Sequence, residues 1–173
     1  LKSRGLGPVI ASDFSPARRA VAEKLGADII VDPAQISPHS HWSAAGVATT
    51  TAERMLQSLS GKTGKRAVIF ECVGVPGVLQ GIIEAAPGGA QIIVAGVCMD
   101  TDRFEPFLCI NKQLDFRFVL GYSPEEFAAT LHNIAHGHID VLPAVTSEVG
   151  LAGVAAAFKA LADTVETSAS VDI

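Results

Sequence analysis

Residues 7–28 read GPVIASDFSPARRAVAEKLGAD, and the fold is decided in this stretch. A short apolar run, Pro8 to Ala11, ends at Ser12 and an acid, Asp13. Ser15 supplies a hydroxyl able to cap a helix, and Pro16 fills the first helical position, where no N–H is missed. Ala17, Ala20, Val21 and Leu25 recur at helical spacing, and Gly26 stops the helix before a second apolar run, Ile29 to Val31. The stretch predicts a strand–helix–strand unit with an acid at the C-terminal tip of its first strand. Ligands of open parallel sheets bind at such tips, and an acid there commonly holds two ribose hydroxyls of a dinucleotide. Asp13 is therefore a candidate ligand residue. The plainer reading makes it a helix cap, a job that Ser15, directly before Pro16, fills better. The G-x-G-x-x-G turn that usually lies about twenty residues earlier is absent. The chain also starts at Leu1 rather than Met, so a piece of a longer chain is expected.

Working outward, Leu1 to Gly5 suits a helix end, with Lys2 and Arg4 favourable at a C-terminus and Gly5 as the stop. Beyond Asp32-Pro33 a polar, histidine-containing loop runs from Gln35 to Gly46. Thr49 to Leu59 predicts a helix with Ala52, Met55, Leu56 and Leu59 on one face, and Lys62 to Lys65 a basic turn. Ala67 to Cys72 (AVIFEC) is the next strand, followed by the turn Gly74 to Gly77 and a helix, Val78 to Ala86, apolar nearly all round. Ala90 to Val97 (AQIIVAGV) is apolar on both faces, the pattern of a central parallel strand. Asp100 to Arg103 reads as a loop, Phe104 to Ile110 as extended, and Leu114 to Leu120 (LDFRFVL) as a strand nearer a sheet edge. Ser123 to Glu126 is a capping box with proline at the first helical position. Val145 to Val149 reads as a further strand. Leu151 to Leu161 is a last amphipathic helix and Ser168 to Ile173 a final short strand.

Alternating strands and helices predict an α/β fold with a parallel, doubly wound, Rossmann-type sheet lacking its first strand and glycine-rich turn. In a sheet ordered 3-2-1-4-5-6 the missing strand would lie between the runs at 8–11 and 67–72. A stable chain then needs an upstream segment, direct pairing of the two strands, or a strand lent by a second copy; the first is expected. The turns at Asp13, 72–74, 95–97 and 120–122 would share one sheet edge, their small residues letting a flat ligand approach the backbone.

Composition narrows the function. The 173 residues are 49% hydrophobic and 18% charged, enough to fill a core. A net charge of −5 argues against a nucleic-acid or anionic-membrane surface. The most apolar region, Ala67 to Met99, is interrupted by Glu71, Pro76, Glu84 and Pro87 and does not read as a membrane span. Cys72, Cys98 and Cys109 show no C-x-x-C spacing and suggest free thiols in a reducing cytoplasm. No secretory signal is visible. His132 and His136 share a helix face, with His138 beyond, but the C-terminal dipole explains them as readily as a metal does.

The runs ASDFSPARRAVAEKLGAD, FECVGVPGVLQ, GGAQIIVAGV and LDFRFVLGYSPEEF resemble, in order and spacing, the coenzyme-binding half of zinc-dependent, medium-chain alcohol dehydrogenases. The resemblance covers nearly the whole chain, least well at 35–48 and in the tail. It implies NAD as cofactor, with Asp13 on the adenosine ribose hydroxyls and Arg18 against the adenine side. Cys72 and Val73 would flank the adenosine half. Ala95, Gly96 and Val97 would pass under the nicotinamide ribose, and the backbone of Phe118, Val119 and Leu120 would hold the carboxamide. Residues 1–143 would form the coenzyme-binding domain and 144–173 the segment returning to a catalytic domain. The catalytic zinc, expected only in the absent N-terminal half, has no ligands here, so no catalytic or metal residue is assigned.

The resemblance implies an oxidoreductase moving a hydride between a small-molecule alcohol and its carbonyl compound, inactive as this chain alone. A homodimer through the 114–120 edge strand is expected, with no nucleic-acid or membrane partner. The alternatives are a zinc-free quinone or enoyl reductase of the same superfamily, a methyltransferase-like domain binding S-adenosylmethionine, and a non-catalytic fragment.

Overall fold

The computed structural model describes residues 1–61 and 64–169. The chain divides into two units, one of residues 1–38 with the segment from Ala128 onward, the other of His39–Phe127.

In the first unit the opening stretch folds as its caps dictate. Strand β1 (Ile10–Ser12) leads into helix α1 (Pro16–Lys24), which returns to strand β2 (Ile29–Val31). The strands pair in parallel, Ile10 against Ile29 and Ser12 against Val31. Pro16 occupies the first turn of α1 and the Ser15 hydroxyl accepts from the Arg18 N–H. Gly26 takes the left-handed φ of 87° that lets the chain double back, a conformation costly for any residue with a Cβ. The far end of the unit is closed by Asp28, whose carboxylate accepts from Lys2 Nζ at 2.8 Å and from the Val9 N–H at 2.6 Å. Those bonds hold the Asp28 carboxyl below the usual carboxylate range, Lys2 contributing most. Lys2 lies in a short 3-10 turn ended by Gly5, in place of the helix end expected there. Val31 is the buried residue of the strand pair.

The second unit holds a three-stranded parallel sheet in the order β3 (Val68–Glu71), β4 (Gln91–Val94), β5 (Asp115–Phe118). β4 is central, as its two apolar faces require, and β5 stands at an edge. Between β3 and β4 runs helix α3 (Val78–Ala85), which buries Leu79, Ile82 and Ile83, spaced i, i+3, i+4, on one face. With Ala67, Ala86, Ala90 and Ile92 these form the core. Each large aliphatic side chain buried there is worth about 1.5–3 kcal/mol. Lys112 Nζ donates to the carbonyls of Ile83, Glu84 and Ala86, satisfying acceptors that the end of α3 leaves open. Helix α2 (Thr51–Leu59) begins with a complete capping box between Thr50 and Glu53, yet its Met55, Leu56 and Leu59 are exposed.

Three further expectations are corrected. Residues 106–112 form helix α4 (Pro106–Lys112), where Phe104 to Ile110 reads as extended. Pro106 is its first residue, and two neighbouring parallel strands, β4 and β5, need a crossover between them, which α4 supplies. Among the described residues Val145 to Val149 pairs with no strand; a 3-10 turn (Leu142–Ala144) precedes it and contacts α1. The last helix, α6 (Val154–Ala169), runs through Ser168 and Ala169, where a strand is expected, and 170–173 lie outside the described residues. Of the basic turn at 62–65, Lys62 and Thr63 also lie outside them. Helix α5 (Pro124–Ala135) starts with the expected box, the Ser123 hydroxyl accepting from the Glu126 N–H and Glu126 Oε2 from the Ser123 N–H.

Candidate coenzyme-binding site

At the tip of β1 the Asp13 N–H still donates to the Val31 carbonyl, so the ladder extends one residue past the strand and fixes where the acid begins. The Asp13 side chain is 36% exposed. Its Oδ1 accepts from the Ser15 N–H at 2.8 Å, and its Oδ2 lies 3.7 Å from the exposed Arg18 guanidinium. Ser15 is the cap, as expected; Asp13 closes the turn before it with one oxygen and presents the other beside the exposed Arg18 guanidinium. Arg19, which the sequence offers as a partner for a phosphate, instead anchors this turn. It donates to the carbonyls of Asp13 and Phe14 at 2.7 and 2.8 Å and pairs with Asp32 at 2.9 Å, both side chains about one-fifth exposed. An arginine so engaged locks the tips of β1 and β2 together and is not free for a phosphate.

In the second unit the tips of β3 and β4 meet backbone to backbone. Gly74 has φ 71°, and a Cβ there would stand 2.6 Å from the Val97 nitrogen. A Cβ on Gly96 would stand 2.5 Å from Glu71 Oε2 and overlap the Gly74 nitrogen. Between them lies Glu71, the last residue of β3 and only 4% exposed. Its Oε1 accepts from the N–H groups of Val73 and Gly74 at 2.6 and 2.8 Å, and its carbonyl from those of Ala95 and Gly96 at 2.8 and 2.9 Å. The structure thus brings Cys72, Val73, Ala95, Gly96 and Val97 into one cluster. Glu71 escapes sequence reading; its one signal is an acid closing an otherwise apolar strand. Phe118 ends β5, and the Val119 N–H continues the ladder to the Val94 carbonyl, while Phe118 and Leu120 are exposed. Partial burial, then the charge of Glu71, push the Cys72 thiol up from its ordinary value.

Each unit taken by itself carries a feature that suits a ligand at strand tips: an acid after β1 in the first, and in the second a pair of turns stripped of side chains at Gly74 and Gly96. A cleft of about 560 Å³ lined by Arg54, Lys65, Arg66, Gly88 and Gly89 lies at the N-terminal ends of β3 and β4. That is the wrong end for a ligand of an open parallel sheet.

Among the described residues no group of three or more His, Cys, Asp or Glu side chains converges on a point. The ring centroids of His132 and His136 lie 4.0 Å apart with the planes tilted by 33°, and His136 Nδ1 lies 2.9 Å from the His132 carbonyl. Among the described residues no helix is long and apolar enough to cross a membrane.

The sequence pattern of the zinc-binding dehydrogenases matches residues 1–136. (R,R)-butanediol dehydrogenase of Neisseria gonorrhoeae is 26% identical over 152 residues, 87% of this chain and 38% of that protein. Sorbitol dehydrogenase of Ovis aries is 24% identical over 159 residues, 91% of this chain and 41% of that protein. A solved structure from Escherichia coli CFT073, described as a short chain alcohol dehydrogenase complexed with cofactor NADH, superposes with a TM-score of 0.70 at 17% identity. It covers 90% of this chain, which covers 41% of it. The chain belongs to the zinc-binding dehydrogenase family and has its α/β, Rossmann-type fold. That membership sets aside the methyltransferase alternative. The chain spans about two-fifths of the length of the relatives it matches.

Proposed function

We propose that this chain is the coenzyme-binding part of an NAD(H)-dependent oxidoreductase that moves a hydride between a small-molecule alcohol and its carbonyl compound. The observation that carries the reading is Asp13, an acid held at the tip of β1 with its second oxygen directed away from the turn-closing bond. The NADH complex of the E. coli structure and the alcohol-oxidising names of the relatives support it. When bound, the coenzyme supplies the hydride; the chain's own residues bind and orient it.

Asp13 takes the two adenosine ribose hydroxyls and Arg18 lies along the adenine. Cys72 and Val73 flank the adenosine half, Ala95, Gly96 and Val97 run beneath the nicotinamide ribose, and the backbone of Phe118, Val119 and Leu120 holds the carboxamide. Residues 1–143 form the coenzyme domain and 144–173 return to the catalytic part, which carries the zinc ligands in the full-length protein. Two copies pair through the β5 edge, whose neighbouring Leu120 and Tyr122 are exposed. The three free thiols suit a reducing cytoplasm.

Asp13 also sets the coenzyme choice. A 2′-phosphate beside it would meet like charge, a penalty of about 2 kcal/mol, or roughly 30-fold in affinity. Arg19, committed to Asp32, offers no relief. Fluorescence titration of the full-length protein should show NADH bound about 30-fold tighter than NADPH, with the gap closing in Asp13→Ala. An unchanged protein that prefers NADPH overturns the assignment of Asp13.

A further inference from the structure

We infer that Glu71 is a positioning residue whose buried carboxylate sets the backbone platform, turns 72–74 and 95–97, over which the coenzyme lies; the inference rests on the coenzyme reading above. Burying a carboxylate is costly unless its oxygens are hydrogen-bonded or paired with a cation. Among the described residues no lysine, arginine or histidine pairs with Glu71 within 4.0 Å. Its side-chain partners are instead two consecutive backbone N–H groups, those of Val73 and Gly74, both held by Oε1. Oε2 lies toward the Cα of Gly96.

The consequences follow from this geometry. The carboxylate draws the Val73 and Gly74 N–H groups inward, so the turn cannot offer them to a ligand's phosphate, and its outer surface is left to van der Waals contact. It also fixes Gly74, against which the Gly96–Val97 backbone rests so closely that neither glycine could carry a Cβ. A change at Glu71 therefore propagates from turn 72–74 into turn 95–97 without any loss of the Ala95 and Gly96 bonds, which go to the Glu71 carbonyl. Glutamine at 71 keeps one acceptor for the two N–H groups but gives up the charge, and charge-assisted bonds are about twice as strong as neutral ones. It also places an NH₂ against Gly96. Alanine removes the acceptor altogether. The effect on the platform should rise from Glu to Gln to Ala.

The test uses the full-length protein and the variants Glu71→Gln, Glu71→Ala and Gly96→Ala. Three quantities are read: amide exchange at Val73 and Gly74, NADH and NADPH dissociation constants, and the melting temperature without coenzyme. In Glu71→Gln the two amides should exchange about tenfold faster. Both coenzymes should weaken about tenfold with their ratio unchanged within twofold, while the melting temperature moves by only a few degrees. Glu71→Ala should extend the trend, and Gly96→Ala should reproduce it from the opposite side. A merely structural role would lower the melting temperature and leave the affinity of the folded protein alone. Faster exchange with NADH affinity within twofold of the unchanged protein overturns the inference. So does unaltered exchange at Val73 and Gly74 in Glu71→Gln. If the unchanged protein binds neither NADH nor NADPH, the coenzyme reading itself falls, a result distinct from both.

Discussion

Replacing Gly74 by alanine tests the crossing of the β3 and β4 exit turns. Two costs act there. The first is conformational: φ is 71°, and an L-residue held in the left-handed region pays about 1–2 kcal/mol. The second is steric. The new Cβ would lie 2.6 Å from the Val97 nitrogen, 2.8 Å from its carbonyl carbon and 2.9 Å from its oxygen. These are backbone atoms and cannot rotate away, so the turns must separate, at a cost of about 1–3 kcal/mol by the measure of overpacked cores. The sum is about 2–5 kcal/mol, a large share of a typical margin of about 5–15 kcal/mol. Gly77 provides the control, because its φ is 86° but a Cβ there would meet nothing within 4 Å. Gly77→Ala should therefore cost only the conformational part. Urea denaturation of the two variants separates the terms. Equal losses would refute the close crossing, since the steric term would then be missing.

Three other changes probe neighbouring parts of the site. Arg19→Met leaves Asp32 and the carbonyls of Asp13 and Phe14 without their guanidinium; because both charged side chains keep some exposure, the loss should be about 1–2 kcal/mol by denaturant midpoint. A loss below the error of that measurement would show that Arg19 does not anchor the turn. Cys72, its thiol pushed up by partial burial and by Glu71, holds less thiolate at pH 8 than free cysteine and should alkylate more slowly with iodoacetamide. The rate should rise in Glu71→Gln, and a rate at or above that of free cysteine would contradict this. At the β5 edge the Asp115 and Val119 N–H groups point inward to β4, so Phe116 and Phe118 turn theirs outward. Phe118→Pro should then reduce dimer mass in light scattering; an intact fold with the dimer unchanged would remove this edge as the interface.

The opening strand–helix–strand unit was legible because each of its boundaries is written in local chemistry: Ser15-Pro16 starts α1, Gly26 ends it, and β2 falls on Ile29–Val31. The same holds for α5, where Ser123 and Glu126 cap each other. Helix α4 was not legible from its apolar residues, since Phe104, Phe107, Leu108 and Ile110 mimic a buried strand. Its signals were Pro106 and the need for a crossover between parallel strands, the second of which is visible only once β4 and β5 are known to be neighbours. Val145 to Val149 has strand-like β-branched residues at its ends but, among the described residues, no partner to pair with, and pairing rather than propensity makes a strand. In the candidate site the exposed-tip residues, Asp13 above all, follow from the position of an acid after a strand. Glu71 and Arg19 do not. Their roles depend on backbone groups two to six residues away being aimed at them, which no spacing of side chains reveals.

The central claim is that Asp13 receives the coenzyme's adenosine ribose. A crystal structure of the full-length protein with NADH tests it most directly, through the distances from the Asp13 carboxylate oxygens to the two ribose hydroxyls. Both hydroxyls should donate to Asp13 at about 2.5–3.0 Å, with Arg19 still on Asp32. A ribose bound elsewhere, with Asp13 still engaged only by Ser15 and Arg18, would contradict it.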